Sequence, residues 1–239
     1  MVFAFAGDST TTSFKFEAFL YVRTRDGGDL RIQPSREEGR VNRPSYNECL
    51  VEAELRARSA YAEPHRYYHN ERHLDDCLRQ LDQIPGLAEH DRQLLRWAIL
   101  WHDVVYEPGA FNNEELSAQR AERELLGCGV EGDDAAEVSR LIRLTKSHKA
   151  NPSDRLGALL VSIDLSILGS NPERYGSYSA AVRKEYAHVP NPMWQTGRAQ
   201  VLKRLLEADP LYPDTALRAD LEQRARLNME VELKALGGG

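Results

Sequence analysis

The sequence predicts an all-α fold, a bundle of helices running from Ser45 to Leu236. Apolar residues recur at three- and four-residue spacing over most of that span, the period of a helix that buries one face. The alternating pattern of a half-buried strand is confined to residues 1–44. Pro190, Pro192, Pro210 and Pro213 separate the last three helical patterns, as residues that cannot continue a helix should.

Taken in order, residues 1–44 form an extension of unknown role. Phe14, Phe16, Phe19 and Tyr21, then Leu30 and Ile32, flank Asp26-Gly27-Gly28, which suits a short β-hairpin. A poorly ordered terminus is the competing reading. From Ser45 the period is helical. Leu74, Cys77, Leu78, Leu81 and Ile84 define one amphipathic helix, and Leu94 to Val105 is apolar nearly all round, as a central helix should be. A helix is expected over Glu114–Leu126. Asp133 or Asp134 suits the N-cap of the next, bearing Val138, Leu141, Ile142 and Leu144. Ser153 or Asp154 suits the cap of another, running through Leu159, Leu160, Ile163 and Ile167 to a stop at Gly169. Tyr175–Tyr186, Trp194–Leu206 and Leu217–Leu236 supply three more helices, and Gly237–Gly239 reads as a frayed tail. No internal repeat appears, so residues 45–236 read as one domain.

Composition narrows the function. Of 239 residues, 41% are hydrophobic and 28% charged, which is ordinary globular usage. The net charge of -6 offers no broad basic surface, so no nucleic-acid polymer is expected as a partner. No window approaches the ~18 apolar residues of a membrane span, so no membrane association is expected either. Cys49, Cys77 and Cys128 are odd in number and widely spaced, and Cys49 and Cys77 occupy apolar helical positions. They read as free thiols in a reducing compartment. The apolar opening lacks the basic flank of a secretory signal, so the expected location is cytoplasmic.

The sharpest chemical signal is Trp101-His102-Asp103-Val104-Val105-Tyr106, a polar pair inside an otherwise apolar helix. Burying an imidazole and a carboxylate without partners costs several kcal/mol, and a divalent cation would satisfy both. A histidine hydrogen-bonded to a carboxylate within the core is the competing reading. His73 lies on its own amphipathic helix, and Asp164 is a lone carboxylate in the apolar run Val161–Ile167. Two imidazoles and two carboxylates make a mixed nitrogen and oxygen set suited to Mn, Fe, Co, Ni, Zn or Mg, with positions left for water and substrate.

These residues occur in a longer ordered series. Glu63-Pro64-His65-Arg66-Tyr67-Tyr68-His69-Asn70 leads into His73-Leu74, and the His-Asp segment is followed by Asn113-Glu114-Glu115-Leu116-Ser117-Ala118. Then come Thr145-Lys146-Ser147-His148, Asp164-Leu165-Ser166-Ile167-Leu168-Gly169 and Arg183-Lys184-Glu185-Tyr186. The series resembles the HD superfamily, in particular a branch of small predicted metal-dependent phosphohydrolases, over about Ala60 to Glu230. The resemblance implies an HD-domain helical bundle. It also implies one divalent metal ion held by His73, His102, Asp103 and Asp164, and hydrolysis of a small phosphate ester, nucleotides included.

Metal-assisted hydrolysis assigns further roles. Asp103 can also hold the attacking water. By analogy Glu114 is the candidate general base, set against a bare role in the first turn of its helix. His69, four residues before His73 and so expected on the same helix face, can replace it as a ligand or bind the substrate phosphate. Arg66, Lys146, His148 and Arg183 are candidate phosphate contacts, each weighed against an ion-paired or solvated role. Tyr67, Tyr68, Tyr175, Tyr178 and Trp194 fall at helical spacings expected of core residues. Competing functions are an HD-type di-iron oxygenase with extra histidine ligands and a non-catalytic metal- or nucleotide-binding module. Nucleoside monophosphates, sugar phosphates, pyrophosphates and guanosine alarmones all remain open as substrates. The spacing leaves the oligomeric state open as well.

Overall fold

Helix begins where the apolar period changes. Ser45 caps α1 (Tyr46–Ala60): its hydroxyl accepts from the Glu48 N–H, and the Glu48 carboxylate accepts from the Ser45 N–H at 2.8 Å, a reciprocal capping box. The computed structural model describes residues 44–151 and 153–237. Its further elements are α2 (Glu71–Asp82), α3 (Glu89–Trp101), α4 (Asn113–Gly127), α5 (Gly132–Leu144) and α6 (Arg155–Asp164). A short 3-10 helix (Leu165–Gly169), α7 (Pro172–Glu185), α8 (Asn191–Leu206) and α9 (Thr215–Gly237) complete the chain. No strand occurs among the described residues, and the fold is all-α. The hairpin expected over Phe14–Gln33 lies outside the described residues, and so do two residues of the expected tail. Gly237, the third, is still helical.

α3 is the central helix. Leu94, Leu95, Trp97, Ala98, Ile99, Leu100 and Trp101 are all buried, and the helix packs against α1, α2, α4, α5 and α6. It is shorter than its apolar run, however: it ends at Trp101, so the His-Asp pair stands at its terminus and not inside it. α4 and α5 pack against each other across the short connection after Gly127, and α9 lies along the 3-10 helix and α8. The predicted cap at Asp154 is present, its carboxylate accepting from the Gly157 N–H at 3.0 Å. α5 instead starts one residue before Asp133, which leaves both aspartates in a first turn where the helix dipole favours them. Gly169 ends the 3-10 helix as expected, and it has a second reason to be glycine. A Cβ there would fall 2.7 Å from the Leu221 Cβ and 2.9 Å from the Leu221 carbonyl oxygen, so α9 can approach only a bare backbone.

The cysteine reading is corrected. Cys49 on α1 and Cys128 at the end of α4 form a disulfide, with Cα atoms 5.3 Å apart, and only Cys77 is free and buried. α1 and α4 both pack against α3, which brings together two cysteines separated by 79 positions. With two of three thiols bonded, the cysteines no longer point to a reducing compartment.

Candidate metal centre

The four predicted ligands all stand at helix ends. Asn70 caps α2 through the Arg72 N–H at 3.0 Å, which places the buried His73 in the first turn. His102 caps α3 and Asp103 follows in the turn beyond. Asp164 closes α6, where the chain tightens into the 3-10 helix. Both carboxylates thus lie at helix C-termini, where the macrodipole already concentrates negative charge, and neither last turn carries a basic side chain. Positive charge is favoured there, from the His102 imidazole or from a bound cation.

The donor atoms converge. His73 Nε2 lies 3.1 Å from His102 Nε2, 3.4 Å from Asp164 Oδ1 and 3.8 Å from Asp103 Oδ2. His102 Nε2 lies 3.0 Å from Asp103 Oδ2 and 3.7 Å from Asp164 Oδ1. Bonds of about 2.1 Å to one ion hold neighbouring donors about 3.0 Å apart at octahedral angles and about 3.4 Å apart at tetrahedral ones. The spacings around the two histidines bracket both values, and His73, His102 and Asp103 are close enough together to hold one ion, with Asp164 within reach of both histidines.

The surroundings prepare these donors. His102 Nδ1 faces the Ile99 carbonyl at 2.8 Å and donates its proton there, which leaves Nε2 as the nitrogen directed at the cluster. The Tyr61 hydroxyl accepts from the Asp103 N–H at 3.2 Å and fixes the turn. Burial opposes charge on His102, but Asp103 and Asp164 outweigh it and push its pKa up to about 9. Against the same opposition from burial, His102 holds Asp103 below the usual carboxylate range, and hydrogen bonds from His148 and His73 hold Asp164 there. Burial pushes His73 down, towards the neutral form a metal needs. An incoming ion competes with the His102 proton for one lone pair, so its uptake releases a proton.

Sequence reasoning missed one further donor. Cys77 follows His73 by one helical turn, its Sγ lies 3.8 Å from His73 Nδ1, and His73, Cys77 and Asp164 are close enough to hold an ion. The spacing from His73 was the available signal. Burial raises the thiol pKa well above its ordinary value, and the thiolate is the ligand form, so the set containing both histidines and both aspartates is the stronger one.

Around the centre the predicted contacts divide. Asp103, Asp164, His69, Glu114 and His148 line one cavity of about 490 Å³. Another cleft of about 450 Å³ touches His73 but is lined by Asp76, Arg79, Arg174 and Arg224 and reaches neither aspartate ligand. Glu114 stands in the first turn of α4, held there because the Asn113 side chain clamps Glu107 through its N–H and carbonyl at 3.1 and 2.9 Å. His148 adopts φ 52°, a left-handed conformation that β-carbon sterics disfavour, and its Nε2 comes within 3.2 Å of Asp164 Oδ2. His69 is not on the His73 helix as expected, because it precedes the Asn70 cap.

Glu185 explains where His69 goes, and it is a residue to which sequence reasoning gave no role. Its Oε1 accepts from the N–H groups of Tyr67, Tyr68 and His69 at 2.7–2.9 Å, and its Oε2 takes His69 Nδ1 and the Tyr106 hydroxyl, each at 2.8 Å. Burial opposes its charge, but these bonds prevail and hold the Glu185 pKa at about 2. The His69 ring also stacks on Tyr106, with centroids 4.2 Å apart.

Three candidate phosphate contacts have other partners in the structure. Arg66 is buried and spent on backbone, donating to the carbonyls of Asp103 at 2.6 Å, His69 at 3.2 Å and Val104 at 3.3 Å and pairing with Glu63 at 2.8 Å. It pins the end of α3 that carries the ligands. Arg183 donates to the carbonyls of Tyr186 and Val189 beyond the C-terminus of α7 and lies over Trp194. Lys146 donates to the Phe111 carbonyl at 2.7 Å. Neither lines the cavity. Tyr67, expected in the core, is exposed, with the Lys184 ammonium over its ring.

Fold and site together define an all-helical protein with a candidate centre of two histidines and two aspartates. The chain matches no family model, no curated protein and no solved structure. No helix among the described residues is long and apolar enough to cross a membrane.

Proposed function

We propose that the chain is a metal-dependent phosphohydrolase of the HD type, cleaving a small phosphate ester. The observation that carries the reading is the clustering of His73 and His102 with Asp103 and Asp164, in the sequence order that resembles that superfamily, with both aspartates lining a cavity of ligand size. A divalent ion bound there supplies Lewis acidity towards a phosphoryl oxygen and makes water a stronger acid. The remaining chemistry belongs to side chains. Asp103 is ionised at neutral pH and orients the attacking water, and Glu114, on the same cavity wall, takes its proton as general base. His69 is held by Glu185, and hydrogen bonding to that carboxylate raises its pKa against burial. The imidazolium so favoured binds a phosphate oxygen.

One contact favours a second reading. His148 Nε2 beside Asp164 Oδ2 adds a donor on the outer oxygen of a ligand carboxylate, as a two-ion centre of the di-iron oxygenase kind would require. Metal stoichiometry separates the two, one ion per chain for the hydrolase as proposed and two for the alternative. The direct test is a manganese-supplemented screen of phosphorylated metabolites beside Asp103→Ala. Release of inorganic phosphate by the wild type alone supports the proposal. A metal-loaded, folded wild type that releases none from any compound overturns it.

A further inference from the structure

The cavity that begins at Asp103 and Asp164 continues between α7 and α8, and its far walls differ chemically from its head. Tyr178, Val182 and Tyr186 line it at four-residue intervals from α7 and its cap, and Met193, Gly197 and Val201 do so from α8. Four-residue spacing aligns side chains along one helix face, so the cavity lies between two apolar stripes. Met193 is 67% exposed and Val201 36% exposed, so apolar surface of this wall is open to a ligand. Gly197 sits between them in the interior of α8, where glycine disfavours the helix, and a Cβ there would meet nothing within 4 Å. Its lack of a side chain therefore serves the space of the cavity and not the packing of the protein.

Charge points the same way. Among the described residues Arg198 is the one guanidinium or ammonium group on this wall. It is already engaged by Glu232 at 2.9 and 3.1 Å and by the Tyr178 hydroxyl at 3.3 Å. Asp103, Glu114 and Asp164 face the same space. With His69 assigned to the first phosphate and His148 beside Asp164, a second or third phosphate would meet carboxylates with no guanidinium or ammonium group free to balance it.

We infer that the substrate is a monophosphate ester of an apolar, aromatic alcohol, whose flat group lies between the two stripes while its single phosphate faces the metal centre. This rests on the phosphohydrolase reading and adds the substrate class. In hydrolysis water adds to phosphorus, the ester P–O bond breaks, and the alcohol leaves with a proton. The aromatic group serves only for binding.

The test compares naphthylmethyl phosphate with glycerol 3-phosphate on the manganese-loaded full chain. Both are alkyl esters with leaving groups of similar acidity, so a preference reports the cavity. The expected ratio of kcat/KM is about ten or more in favour of the aromatic ester. Gly197→Leu, whose Cβ enters open space on the cavity wall, should reduce that ratio about ten-fold through KM, with no loss of thermal stability. Equal kcat/KM for the two esters, or an unchanged ratio in the variant, would overturn the inference. Should neither ester be hydrolysed, the broad metabolite screen still decides the phosphohydrolase reading, and calorimetric titration with the non-hydrolysable naphthylmethyl phosphonate decides the cavity. Binding that Gly197→Leu abolishes supports the aromatic assignment, and absence of binding by the wild type refutes it.

Discussion

Replacing Glu185 with glutamine removes the charge that fastens the Tyr67–His69 segment to the end of α7, and the structure sets the size of the effect. Glutamine keeps one oxygen for the three backbone N–H groups but cannot accept from both His69 Nδ1 and the Tyr106 hydroxyl. The carboxyl titrates at about 2 in the folded protein against an ordinary value of 4.5. At about 1.4 kcal/mol per pKa unit, that shift stabilises the fold by roughly 3 kcal/mol near pH 5.5. Because the folded pKa is the lower one, the contribution is complete above the unfolded value and is lost as pH falls towards the folded value. About 1.4 kcal/mol should remain at pH 3. His69, whose pKa is raised, reports the same pair from its other side. Its share is complete below its ordinary value of 6.5 and is lost as pH rises through the folded value, so the two shares are one interaction and do not add. Urea unfolding of metal-stripped wild type and Glu185→Gln between pH 3 and 8 should show a stability difference that peaks near pH 5.5 and shrinks in acid. A difference independent of pH, or below about 0.5 kcal/mol at the peak, would refute the assignment.

Arg66→Met should lower stability by about 3 kcal/mol, since it leaves the Asp103 and Val104 carbonyls without their buried donor. Chemical denaturation would show this, whereas a substrate contact would raise KM with stability intact. Cys77→Ala should retain the metal in equilibrium dialysis, because the neutral thiol is not needed by the four-residue set. Loss of the ion would move the centre onto His73, Cys77 and Asp164. Glu114→Gln should lower kcat about 100-fold with metal content unchanged, as removal of a general base does.

The helical fold and the candidate ligand cluster were legible because both rest on strong local patterns. A three- to four-residue apolar period marks a buried helical face, and carboxylates or imidazoles within apolar runs such as Val161–Ile167 require a partner. Contacts between distant segments were not legible. The Cys49–Cys128 bond depends on two helices meeting on a third, which no local spacing encodes. Arg66, Arg183 and Lys146 were read by charge, but each side chain is long enough to reach a helix end or loop carbonyl, and there it serves backbone. In the sequence Glu185 stands only within the segment Arg183-Lys184-Glu185-Tyr186, with no role of its own. Its role appears only when the Tyr67–His69 segment, more than 110 positions away, is folded onto it. The helix end at Trp101 was hidden for a related reason, since Val104 stays buried beyond it and prolongs the apolar run.

In the proposed centre one ion is shared by four side chains. Its most direct measurement is anomalous diffraction at the absorption edge of manganese or zinc, on crystals of the chain grown with that metal. The account predicts a single peak about 2.0–2.4 Å from His73 Nε2, His102 Nε2 and one oxygen each of Asp103 and Asp164. A metal-saturated crystal with no peak among these residues, or with the ion on other donors, would contradict it.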